Sequence, residues 1–233
     1  MIEVIPEQVQ SAYIYLHSAG RSGDEMRPFL HTLTAYLPNS YILADDGLIC
    51  GSPMPGDGSY YGHAEKRYWF MFPMADAVST ASFIEHKAQV GASIRSAAGY
   101  VNRLIDQIKR RFDIPTTRIF LCGFQHGSCL ALSVAMMRND DPLGSIFLVE
   151  PYYLESLHAA DEKIEGRTTV ICVENAFMRA RTHQFLGIAM DEQLKAFGIR
   201  TERILTDSGE EHLTDEIIAS IGAYIGARLG GQS

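Results

Sequence analysis

Residues Arg118 to Leu132 read RIFLCGFQHGSCLAL, and the two glycines in that run constrain the chain more than any other feature. Ile119-Phe120-Leu121-Cys122 is a short apolar run of strand type, and an apolar stretch of helical character follows the second glycine. Between them, Gly123-Phe124-Gln125-His126-Gly127 carries the G-x-S-x-G frame. That frame is a sharp strand-to-helix turn that lifts one side chain above a sheet. Its flanking glycines let the strained backbone fit. The serine position of the frame holds Gln125. A carboxamide has no ionisable proton and is a very poor nucleophile, so this turn presents no attacking hydroxyl.

The rest of the chain alternates strand-like and helix-like segments. Ser11 to Leu16 reads as a strand ending at His17, and the small-residue loop 18–23 follows it. Asp24 to Leu37 carries Met26, Phe29, Leu30, Leu33 and Leu37 at helical spacing, with Pro28 tolerable only in a first turn. Ser40 to Ala44 reads as a second strand. Glu85 to Phe112 reads as a long helix with Val90, Ile94, Ala97, Val101, Leu104, Ile105 and Ile108 on one face. Ser145 to Val149, Thr168 to Val173 and Arg200 to Leu205 read as further strands; Arg181 to Phe197 and Leu213 to Leu229 read as helices. Such alternation predicts an α/β protein with a mainly parallel sheet covered on both faces. With no repeat and no linker, residues 1–233 are expected to form one domain. Within it, residues 45–83 are rich in Gly, Pro and aromatics and are expected to be an insertion or lid-like segment.

Composition narrows the partners. The formal charge is -8 and no basic run tracks phosphates, so nucleic acid is not an expected partner. No stretch approaches the roughly 18 apolar residues of a membrane span, and the start MIEVIPEQVQ lacks the basic and apolar regions of a signal peptide. The 4 cysteines form no C-x-x-C pair, which fits free thiols in the cytoplasm.

The order of these pieces resembles the phospholipase/carboxylesterase branch of the α/β-hydrolase superfamily. Leu16-His17-Ser18-Ala19-Gly20 stands where that family has its Leu-His-Gly oxyanion loop. Arg67-Tyr68-Trp69-Phe70 looks like its Tyr/Arg-x-Trp-Phe segment. Cys122 to Gly127 fits its elbow, Gln193 to Gly198 its penultimate helix, and His212 stands where its catalytic histidine stands. The resemblance implies an α/β-hydrolase fold and a site for a small, carbonyl-containing ligand. It also implies that His126 and either Ala19 or Ser18 supply backbone N–H groups to an anion hole.

Two departures change the chemistry. The family's nucleophile is replaced by Gln125, and its usual aspartate falls near Met178. Glu150 directly follows an apolar strand, at the sheet edge where α/β sites lie, and is the leading substitute to orient His212; Glu174 is the second. His212 is the candidate proton carrier, since an imidazole titrates near neutrality. His17, Ser18, Ala19, His126, Trp69 and Phe70 are the candidate ligand-binding residues. Tyr60, Tyr61, Tyr68, Trp69, Phe70, Met71 and Phe72 form an aromatic cluster that reads as a wall for an apolar ligand or as a homodimer patch. The spacing of His17, His126 and His212 matches no metal motif, and no metal or cofactor is expected. Two functions stay open: an enzyme with a rewired site, or an inactive relative that binds a small molecule or a protein. The histidine kept at position 212 favours the first.

Overall fold

The computed structural model describes residues 1–50, 67–70, 80–151, 167–175, 190–196, 198–207 and 213–231. Its strands are β1 (Ile2–Val4), β2 (Ser11–Leu16), β3 (Ser40–Ala44), β4 (Ile49–Cys50), β5 (Arg67–Tyr68), β6 (Ile119–Phe124), β7 (Ser145–Val149), β8 (Val170–Asn175) and β9 (Thr201–Thr206). Its α-helices are α1 (Leu30–Tyr36), α2 (Thr80–Phe112), α3 (His126–Met136), α4 (Met190–Ala196) and α5 (Asp215–Gly230). Seven strands form one sheet in the order β1-β3-β2-β6-β7-β8-β9. Only β1 runs antiparallel to its neighbour; β2, β3, β6, β7, β8 and β9 are parallel. β4 and β5 form a separate antiparallel pair.

Strand alternation sends side chains to two cores. Ala12, Ile14 and Leu16 of β2, with Leu121, Ile146 and Leu148, pack under Ile94, Ala98, Val101 and Ile105 of α2 and under α3. Tyr13 and Tyr15, with Phe120, Phe147, Val149 and Val173, pack against Leu33 of α1 and Ile217, Ile218 and Ile221 of α5. A fully buried Leu or Ile side chain contributes about 1.5–3 kcal/mol by leaving water. Every residue of α3 from His126 to Ala135 is buried, so this helix is held on all sides. The turn that feeds it is anchored accordingly.

Four local readings change. Gly23–Phe29 is a 3₁₀ segment and the α-helix starts only at Leu30. Pro28 explains the break, because it offers no N–H to a helical ladder. The long helix begins at Thr80, so the 45–83 segment ends inside α2. β8 runs to Asn175 because Glu174 and Asn175 pair with Leu205 and Thr206 of β9. Ile2–Val4, too short to read as a strand, pairs with β3.

Parallel pairing brings the carboxyl ends of the strands to one edge. Leu16 pairs with Gly123, Phe124 with Val149, and Val149 with Val173. Residues 17–18, 125 and 150 therefore leave the sheet side by side, while Glu174 is still within β8.

Candidate active site

Gln125 is the single residue between β6 and α3, with φ 48 and ψ -104. This conformation is sparsely populated for a side chain with a Cβ and costs about 1–3 kcal/mol. Its surroundings hold it there. The Gln125 amide donates to Val149 O at 2.8 Å, and Ser128 N donates to Gln125 O at 2.9 Å. Ser128 Oγ donates to Gly123 O at 2.6 Å and contacts Val149 O at 3.1 Å, which ties the helix start back to two strands. Ser128 is fully buried in this latch and Cys129 lies in the core, so neither replaces the missing nucleophile. The two frame glycines are both obligatory. A Cβ on Gly127 would overlap the Leu16 carbonyl and lie 2.9 Å from His17 O; one on Gly123 would overlap Gly127 and lie 2.5 Å from Ser128 N.

The Gln125 side chain is engaged at both ends. Ser18 Oγ donates to its Oε1 at 2.7 Å, and its Nε2 donates to Glu150 Oε2 at 3.3 Å. The amide orientation has a physical reason: a flipped group would set Oε1 against the Glu150 carboxylate. Each such bond contributes about 0.5–1.5 kcal/mol, more when one partner is charged, which offsets much of the strain at Gln125. Glu150 repeats the anomaly, with φ 47 and only 1% exposure. Two strained residues thus end neighbouring strands and hydrogen-bond to one another. Glu174 is also buried, but it sits one residue before the end of β8. Neither the Ser18 contact to the Gln125 side chain nor the positive φ of Glu150 has any signal in the sequence.

The other candidate residues surround this chain of three. His17 is fully buried, and its Nδ1 lies 2.6 Å from Ser18 O, so Nδ1 carries the proton. Burial lowers its pKa, against the Ser18 and Asp46 backbone and the Asp46 and Asp45 charges. His126 opens α3, and burial followed by its neighbour His17 pushes its pKa down to about 3. Trp69 donates Nε1–H to His17 O at 3.2 Å, and its ring lies 5.1 Å from the His17 ring. Phe70 stacks on His126 at 3.9 Å. Gly20 N donates to Arg67 O at 2.9 Å, which fastens the 67–70 segment to the loop carrying Ser18 and half-buried Ala19. Trp69 and Phe70 are both buried on these two imidazoles. His212, Met178, Tyr60, Tyr61, Met71 and Phe72 lie outside the described residues. Among the described residues no group of three or more His, Cys, Asp or Glu could hold a metal ion, and no helix is long and apolar enough to cross a membrane. Cys122, Cys129 and Cys172 are buried and take part in no disulfide.

Buried neutral imidazoles make stability depend on pH. The unfolded chain binds protons on these histidines below about pH 6.5, whereas folded His126 stays neutral down to about 3. Stability should therefore be full above about 6.5 and fall as the pH drops towards 3, by about 1.4 kcal/mol per unit for one responsive proton. Urea midpoints across this range measure it. His126→Phe keeps a ring against Phe70 and should flatten the slope; an unchanged slope would contradict the assignment.

The N-terminus of α3, at His126, favours negative charge above Gln125 by at most about 2 kcal/mol.

A mostly parallel sheet with a positive-φ residue at a strand-to-helix elbow, flanked by two obligatory glycines, is the α/β-hydrolase fold, and this chain has it. No protein-family model matches the chain. It is similar to the solved structure of Arabidopsis thaliana SOBER1, with a TM-score of 0.66 and 16% identity over 95% of this chain and 100% of that one. It is also similar to Zea mays acyl-protein thioesterase 2, with a TM-score of 0.65 and 17% identity over 98% of each chain. The Bacillus cereus carboxylesterase matches with a TM-score of 0.60 and 11% identity, over 97% of this chain and 93% of its own.

Proposed function

We propose that this chain is a small-molecule enzyme on an α/β-hydrolase scaffold that works on a carbonyl-containing ligand without an acyl-enzyme. One observation carries the reading. Gln125 occupies the elbow in a strained backbone conformation, and its carboxamide is tied to Ser18 and to the buried, equally strained Glu150. Strain of this kind concentrates at functional sites and persists only where neighbours over-determine it. The esterase and thioesterase neighbours support carbonyl chemistry as the class.

In this reading residues 1–233 act as one domain in the cytoplasm, with 45–83 as the lid-like segment. The backbone N–H of His126, with that of Ala19 or Ser18, polarises the ligand oxygen. His212 moves the proton, and Glu150, the carboxylate at the elbow, orients it in preference to Glu174. Trp69 and Phe70 stiffen the wall by clamping His17 and His126. Proton transfer beside a carbonyl, as in a lyase, isomerase or cofactor-free oxygenase, and direct attack by water both satisfy these roles. A second reading, a binder without turnover, is favoured by the same contacts, since both ends of the Gln125 carboxamide are already engaged.

The test is a turnover screen over esters, thioesters and carbonyl acids, followed by His212→Ala on any substrate found. The enzyme reading expects a loss of about 10²–10⁴-fold in rate with an unchanged melting temperature. Ligand binding at the elbow that survives His212→Ala, with no turnover of any compound, would leave the binder.

A further inference from the structure

We infer that Arg21 and Arg67 form an anion subsite beside the elbow, and that the ligand of this site is a carbonyl compound carrying a phosphate group. This deepens the reading above and rests on it for the carbonyl end. The two arginines lie directly opposite one another in an isolated antiparallel bridge. Opposite residues share a face, with Cβ atoms about 4.5–5.5 Å apart, and like charges so placed destabilise the pair. The chain has 28 acidic and 20 basic residues, yet it sets two guanidiniums face to face here. The next residue, Tyr68, is buried and takes the core side, so the arginines take the other. Arg21 Nε lies 3.4 Å from Glu25 Oε1, a long contact on an exposed side chain. The Arg67 guanidinium is half-buried and has no hydrogen bond or ion pair among the described residues. Asp46 feels its charge, but the two oxygens of that carboxylate already accept from Met1 N and Gly23 N. A guanidinium does not deprotonate in proteins, so these charges depend on no titration.

Both arms of the bridge run into the site. Arg21 N donates to Ser18 O at 3.2 Å, and Ser18 Oγ donates to Gln125 Oε1 at 2.7 Å. Gly20 N donates to Arg67 O at 2.9 Å, and Trp69, in the same segment, donates to His17 O at 3.2 Å. A ligand whose carbonyl meets the elbow therefore has the two arginines along the loop that carries Ser18. Two forked donors on one face suit a phosphate, with three oxygens, better than a carboxylate with two. The formal charge of -8 repels anions from the molecule as a whole, so phosphate held here reports this pair and no general attraction.

Inorganic phosphate tests the pair directly. The readout is the side-chain Nε–H signals of Arg21 and Arg67 in heteronuclear spectra of the full chain, at neutral pH and fixed ionic strength, each assigned through its own backbone. Phosphate should shift both signals together and saturably, and acetate should need concentrations about tenfold higher. Arg67→Gln should weaken phosphate about tenfold on the Arg21 signal. Arg67→Lys should recover only part of the loss, since it keeps the charge without the fork. Phosphorylated methyl ketones of graded chain length then test the link to the elbow. One of them should move the Gln125 side-chain amide at concentrations about tenfold below the same ketone without phosphate. Arginine signals that ignore phosphate would overturn the inference, leave the proposed function to its own turnover screen, and need no variant to fold. A folded Arg67→Gln that holds phosphate like the wild type would also overturn it. Arginines that respond while no chain length moves Gln125 would overturn it too, and would count against the elbow as a ligand site.

Discussion

A serine-directed fluorophosphonate should leave the intact mass of this chain unchanged. Gln125 stands where the attacking hydroxyl belongs, and Ser128, the nearest serine along the chain, is buried with its Oγ bonded to Gly123 O and Val149 O. Ser18 is within reach of the site, but its proton goes to an amide oxygen, which is far too weak a base to activate it. Esters of short acids should turn over feebly at most, since a site stripped of one triad member retains roughly 10³–10⁴-fold catalysis over water. Gln125→Ser should reverse the result. The elbow backbone is already in place at φ 48, and the proposed Glu150–His212 pair would then have a hydroxyl to activate. The variant should take up one fluorophosphonate equivalent, and Glu150→Gln on top of it should abolish the uptake. A stoichiometric adduct on any serine of the wild-type chain would sink the account of the site.

The second large effect is on folding. Gly127→Ala should destabilise the chain by about 3 kcal/mol or more, in the range of severe core overpacking. The added methyl would overlap the Leu16 carbonyl and lie 2.9 Å from His17 O, both on the neighbouring strand and its exit loop. Neither neighbour can move alone. Leu16 is paired with Gly123, and α3 is buried from His126 to Ala135. Soluble yield and the urea midpoint measure the effect; a variant within 1 kcal/mol of wild type, about the spread of surface substitutions, would show that the elbow is not packed this tightly.

Much of this architecture is legible from residues alone. β2 and β3 match their apolar runs, because strands buried on both faces are continuous in hydrophobicity. The elbow at Gln125 is legible because its two glycines report a backbone that nothing larger can follow. Where the local pattern competes with pairing, the sequence reading drifts. β8 extends to Asn175 only because β9 supplies partners for it, and β1 exists only because β3 has a free edge. Pro28 was visible, yet its effect, a 3₁₀ segment ahead of α1, depends on how the loop from Ser22 docks.

The site divides in the same way. The sequence by itself determined that a sharp elbow carries a residue unable to attack a carbonyl, because side-chain identity and glycine spacing are local facts. It also singled out Glu150 as a carboxylate at a strand end. Only the tertiary structure decided that Glu150 bonds to Gln125 and that Ser18 completes the chain from the other side. These partners lie 25 and 107 residues away along the sequence. They meet because the sheet order sets β2 and β7 on either side of β6, and strand order is a property of long-range packing that no local pattern of hydrophobicity encodes.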